Sequence, residues 1–120
     1  MTRGPIRVLL LNQQTADETT SIGVDVQGFP NLTFYLIGYG TLDAGAVTFE
    51  ESVTDPAHGY ETYGGTWSII GSAVNANDVT GGKQKATRAT VGAYAQVRAR
   101  INTAVTGAGG SISVVLVACQ

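Results

Sequence analysis

Apolar side chains recur at every second position in this chain, and they do so in at least five separate segments. Successive Cβ atoms of an extended backbone point to opposite sides, so such a pattern makes one side apolar only if the segment is a strand. Pro5 to Leu11 sets Ile6, Val8 and Leu10 against Arg7, Leu9 and Leu11. Ile22, Val24 and Val26 alternate with Gly23 and Asp25, and Leu32, Phe34, Leu36 and Gly38 share one side of a segment ending at Tyr39. Val47 and Phe49 point inward where Thr48 and Glu50 point outward. Trp67, Ile69 and Ile70 mark a short strand, with Trp67 read as a plug of the core or as part of an aromatic contact surface with Tyr60 and Tyr63. In the last segment Ile112, Val114, Leu116 and Ala118 oppose Ser113, Val115 and Val117. Apolar residues on both of its sides predict a central strand, or an outer face covered by another chain.

One stretch fits two patterns. From Lys83 onward, Ala86, Ala89, Ala93, Val97, Ile101 and Ala104 would line one side of a helix. Val91, Ala93, Ala95, Val97, Ala99 and Ile101 alternate equally well with Gly92, Tyr94, Gln96, Arg98, Arg100 and Asn102. Gly92 and the threonines at 87 and 90 disfavour a helix, which selects a strand. Composition agrees, because Val, Ile and Thr supply 35 of the 120 residues and Leu only 7. Branched Cβ atoms pack well on a pleated surface. Strands about ten residues apart, punctuated by glycine, predict an all-β fold. The expected form is a single antiparallel β-sandwich of roughly seven or eight strands, immunoglobulin-like or jelly-roll. It forms one domain over residues 1–120, with 1–12 an N-terminal strand or an arm. Gly107, Gly109 and Gly110 read as a hairpin turn into the last strand, since a phosphate loop would feed a helix.

Charge is sparse, at 13% of residues, and divided along the chain. Residues 1–78 hold all nine acidic residues against Arg3 and Arg7, a net −7. Residues 79–120 hold Lys83, Lys85, Arg88, Arg98 and Arg100 and no acid, a net +5. A nucleic-acid partner calls for a net basic domain, whereas the whole chain is at −2. Two readings of the division remain. The basic stripe of Arg98, Arg100, Lys83, Lys85 and Arg88 meets acidic residues of a neighbouring copy or lattice partner, or it is an ordinary solvated face.

No constellation suggests catalysis. His58 is the one histidine and no GxSxG elbow accompanies it. Glu50 and Glu51 are adjacent on a strand and point apart, so they cannot form a facing pair of carboxylates. Asp55, His58 and Glu61 are spaced for a metal only on a helix, and DPAHGY is not one. No cofactor or metal is expected. Cys119 alone excludes an intrachain disulfide and reads as a spare thiol or an intermolecular link. The apolar run in MTRGPIRVLLLNQQ is too short for a signal peptide, and no segment approaches a membrane span. The Asn31-Leu32-Thr33 sequon falls inside a strand. Tyr60 and Tyr63 lie in the long 54–65 loop and offer a contact surface for a protein partner or a sugar, or simply pack along the loop. Tyr94, near Val97, is similar to a tyrosine corner.

The ordered strings VLLLNQQTA, GVDVQGFPNLTFYLIG, GAVTFEES, GTWSII, AYAQVRARI and SISVVLVA resemble a class of small all-β proteins from tailed-phage structural gene clusters. The resemblance runs over most of the chain; the 54–65 loop departs from it. It implies a virion component made in the host cytoplasm, a capsid decoration protein or another head or tail accessory. The implied partners are a major capsid or tail protein and other copies of the chain, with no nucleic acid or membrane. The alternative is a carbohydrate- or receptor-binding module using the 54–65 loop.

Overall fold

Alternation decides the strands, and the long-range pairing of those strands decides the architecture. The computed structural model describes residues 5–53, 67–90 and 95–120. Its strands are β1 (Ile6–Gln14), β2 (Val24–Asp25), β3 (Asn31–Tyr39), β4 (Ala44–Val53), β5 (Ser68–Ile69), β6 (Val74–Asn75), β7 (Gln84–Thr90), β8 (Ala95–Thr106) and β9 (Ser111–Cys119). Sheet A has the order β1-β9-β3-β7 and sheet B the order β2-β8-β4-β5, with β6 also pairing β4. All pairings are antiparallel.

If β5 and β6 count as one interrupted edge position, the pairing is nested. β1 pairs the last strand, β2 pairs β8, β3 pairs β7, and β4 pairs β5 and β6. A chain paired in this order is one long antiparallel ribbon rolled into two sheets, which is a jelly roll. Nine strands form among the described residues, against seven or eight expected, because the edge beside β4 is broken into two short pieces and the segment from Lys83 makes two strands.

The inner faces meet as the alternation requires. Phe34, Leu36, Val47, Phe49, Val97, Ala99, Ile101, Ile112, Val114 and Leu116 are fully buried. Phe34 of sheet A stacks on Phe49 of sheet B with centroids 4.4 Å apart and planes 10° from parallel. Gly38 is required on β3, because a Cβ there would collide with the carbonyl oxygen of Val79.

Several expectations are corrected. The segment from Lys83 is not one strand but two, β7 in sheet A and β8 in sheet B. The glycine turn at 107–110 is therefore an arch between sheets and not a hairpin; Gly107 holds φ +138° there. A bulge between Leu9 and Leu11 shifts the register of β1, so Leu10 and Leu11 are both buried. The predicted second strand shrinks to two residues, and Ile22 stands 77% exposed beside it. The polar stretch 72–82 hides a plug: Val74, Ala76 and Val79 are buried around a 3₁₀ turn at Ala76–Val79. Asn77 Nδ2 donates to Leu42 O at 3.0 Å, and Leu42 N–H donates to Thr80 Oγ1 at 2.9 Å, fixing the plug to the β3–β4 connection.

Candidate interaction surfaces

The two outer faces of the sandwich differ in chemistry. On the back, the outer face of sheet B, β4 and β8 align Thr48 with Arg100, Glu50 with Arg98, and Ser52 with Gln96. Thr48, Glu50, Ser52 and Gln96 are as buried as core residues although they point away from the core. Arg98 Nε donates to Glu50 Oε1 at 2.7 Å, and Arg100 Nε donates to Glu50 Oε2 at 3.2 Å. Arg100 Nη1 donates to Glu18 Oε2 at 2.8 Å. The Glu50 side chain is only 6% exposed, so two guanidiniums supply the charge and hydrogen bonds that burial removes. Burial disfavours the charged form of Arg100, but its bond to Glu18 and the charges of Glu18 and Glu50 outweigh that and raise its pKa. The sign is that of a cation gaining partners. Its stabilisation holds below the guanidinium range for as long as the two carboxylates are ionised.

Trp67 completes this face. Its ring lies 4.3 Å from the Arg98 guanidinium carbon, and a Cβ on Gly23 would come within 3.1 Å of the same ring. The indole thus lies across β8 toward β2. It is half-exposed on the outside of sheet B, and the expectation of a core plug is corrected. Two buried oxygens, Ser52 Oγ and Asn102 Oδ1, have no hydrogen-bond partner among the described residues.

The front, the outer face of sheet A, is apolar at its centre. One row across its strands reads Leu9, Val115, Tyr35, Ala86, and the next reads Arg7, Val117, Thr33, Arg88. Arg7, Tyr35, Ile37, Gln84, Val115 and Val117 line an open groove of about 320 Å³. Leu9 is 56% exposed, and Tyr35, Ile37, Val115 and Val117 are half-exposed. No strand of sheet A carries an Asp or Glu. Lys85 points to the inner side of edge strand β7, by register with Leu36, and is bonded to Asp78 at 2.9 Å. A charge turned inward at an edge discourages further strand pairing there, so the flat side of the sheet is the open surface.

The chain is similar in structure to the SPBc2 prophage-derived protein YomS, with a TM-score of 0.55 and 13% sequence identity over 100% of this chain and 98% of that one. The two share a fold over their whole lengths. No family model matches the chain, and no curated protein does. No helix among the described residues is long and apolar enough to cross a membrane.

These placements regroup the candidate residues. The acidic first part and basic last part of the chain meet inside one molecule: Glu18 and Glu50 hold Arg98 and Arg100, and Asp78 holds Lys85. Rolling the nested ribbon into two sheets causes this, since it sets early β4 beside late β8. Arg98, Arg100 and Lys85 are therefore not a free stripe awaiting a partner. Lys83 and Arg88 make no ion pair among the described residues. Tyr60, Tyr63, Asp55, His58, Glu61 and Tyr94 lie outside the described residues. Arg7, Leu9, Tyr35 and Ile37 were absent from the sequence-based candidates. The two-sided apolarity of β9 was the available signal for them, because it marks the sheet whose outer face is apolar.

Proposed function

We propose that this chain is a non-enzymatic structural protein of a phage particle. It is present in repeated copies on the lattice of a major capsid or tail protein, with capsid decoration as its role. The observation that carries the reading is the front face: a flat apolar centre flanked by Arg7 and Arg88, with no acid on its four strands. Extended apolar patches with a polar margin favour contact with other proteins. The prophage origin in the name of the structural neighbour supports the phage setting. Jelly rolls are used as capsid domains and also for other tasks, so the fold supports the reading without deciding it. The non-enzymatic part rests on Glu50. This is the one buried carboxylate among the described residues, and two arginines hold it as a strut rather than leaving it poised as an acid or base.

The test is mass spectrometry of gradient-purified particles from cells carrying the gene, followed by cryo-electron microscopy of those particles. The protein is expected in many copies per particle, as density on the outer lattice of head or tail. Its absence from purified particles would overturn the reading.

A further inference from the structure

The charges left over after internal pairing are sorted by sheet. Among the described residues, Arg7, Lys83 and Arg88 have no ionic partner, and neither do Asp17, Asp25, Asp43 and Glu51. Arg7 and Arg88 lie in one row of the front, three strands and roughly 14 Å apart. The free acids lie on or beside sheet B. Asp25 aligns with Gln96 on the back face, and Asp17 adjoins Glu18, whose N–H donates to Ile101 O of β8; Glu51 aligns with buried Val97 and so lies on the inner side of β4, and Asp43 precedes that strand. Glu18 holds Arg100 yet its side chain is 67% exposed at the same face.

Exposed apolar groups are divided as evenly. Leu9 and Tyr39 stand out from the front. Ile69 points outward on the back, by register with Glu50, and Ile22 adjoins Gly23 beneath the Trp67 ring. Each face therefore has apolar groups to bury; the front carries Arg7 and Arg88 without ionic partners, and the back carries Asp25 without one and the exposed carboxylate of Glu18.

We propose that the front face of one copy seats on the back face of the next, a head-to-tail contact between copies of this chain. It names the partner of the front face and rests on the reading of the chain as a structural protein in repeated copies. A symmetric contact of two fronts is disfavoured, since it would oppose Arg7 and Arg88 to the same residues with no carboxylate on either surface. Strands about 4.8 Å apart and about 30 Å long give the front on the order of 600 Å². A standard interface buries ~800 Å² per partner, so a single contact is weak and gains strength when a ring or a bound lattice closes it.

Sedimentation velocity on the purified full chain tests this, with circular dichroism as a check of folding. Self-association is expected to rise with protein concentration and to fall with added salt. The front variant, Arg7→Glu with Arg88→Glu, and the back variant, Ile22→Lys with Ile69→Lys, are each expected to weaken it about tenfold or more. An equal mixture of the two variants is expected to form dimers and nothing larger, because one intact front meets one intact back. Leu9→Ser with Val117→Thr serves as a second front variant if the charge reversal disturbs folding. Either a wild-type chain that stays monomeric at every concentration or a back variant that associates like wild type overturns the head-to-tail contact. In both cases the protein's presence in purified particles would leave the structural role standing. Normal head-to-tail association with absence from particles would fail that role alone.

Discussion

The two outer faces of this sandwich solve the same problem in opposite ways. Both carry arginines on strands whose other side is core. On the back, Arg98 and Arg100 are neutralised by Glu50 and Glu18, and Trp67 lies over Arg98. On the front, Arg7 and Arg88 flank exposed Leu9 and half-exposed Tyr35, Val115 and Val117, with no acid on the sheet. The arginines of the back are satisfied within the chain and contribute to the stability of the single molecule, which leaves an acid, Asp25, without an ionic partner on that side among the described residues. The front is incomplete, and its energetics are realised in contact with another molecule. Counting charges along the chain misses this difference, because the residues that balance one another are far apart in sequence.

Changes at the junction of the two sheets should have the largest effect. Phe49→Ala removes one ring of the stacked pair and should cost about 3–5 kcal/mol. Trp67, the single tryptophan, reports on the back face by fluorescence, while far-UV circular dichroism reports on both sheets. Their urea transitions should coincide in wild type and variant; separate transitions would mean that the faces belong to independent units. Next, Glu50→Ala leaves two half-buried guanidiniums without their carboxylate. A loss of about 2–3 kcal/mol is expected, below that of a fully buried pair because both arginines reach water. A shift in urea midpoint worth under ~1 kcal/mol would show that the back face is as loosely held as the front. Trp67→Leu should cost ~1 kcal/mol, the loss of a partly exposed cation–π contact. At the small end, Leu9→Ser should change stability by no more than ~0.5 kcal/mol while weakening association. A large stability loss there would remove the distinction between the faces.

The strands themselves were legible from residue order. β3 and β9 match their predicted extents closely, and every inward residue predicted on them is buried. Other features were not legible, and three of them show the physical reason. The bulge in β1 shifts the register within an unbroken run of leucines, where alternation carries no signal. The plug at Val74, Ala76 and Val79 is too short and too polar around its apolar residues to show any period. Trp67 looked like core because large aromatics usually are, and only its position over Arg98 reveals a cap on the outer face.

Of the candidate contact residues, Arg88 and Lys83 make no ion pair among the described residues, whereas Arg98, Arg100 and Lys85 are held within the chain. Alternation placed Arg98 and Arg100 on one side of a strand, but Lys85 and Arg88 belong to a strand of the other sheet and Lys83 precedes it, so the expected single stripe does not form. Whether each charge would be satisfied at home followed from which strands became neighbours. Period-two alternation is a local property of the backbone, so the sequence by itself determined strands such as β3 and β9 and the faces of their residues. The nested pairing of distant strands is a property of the whole chain. Tertiary structure alone therefore decided that the arginines of the back face are satisfied within the chain and that those of the front face are not.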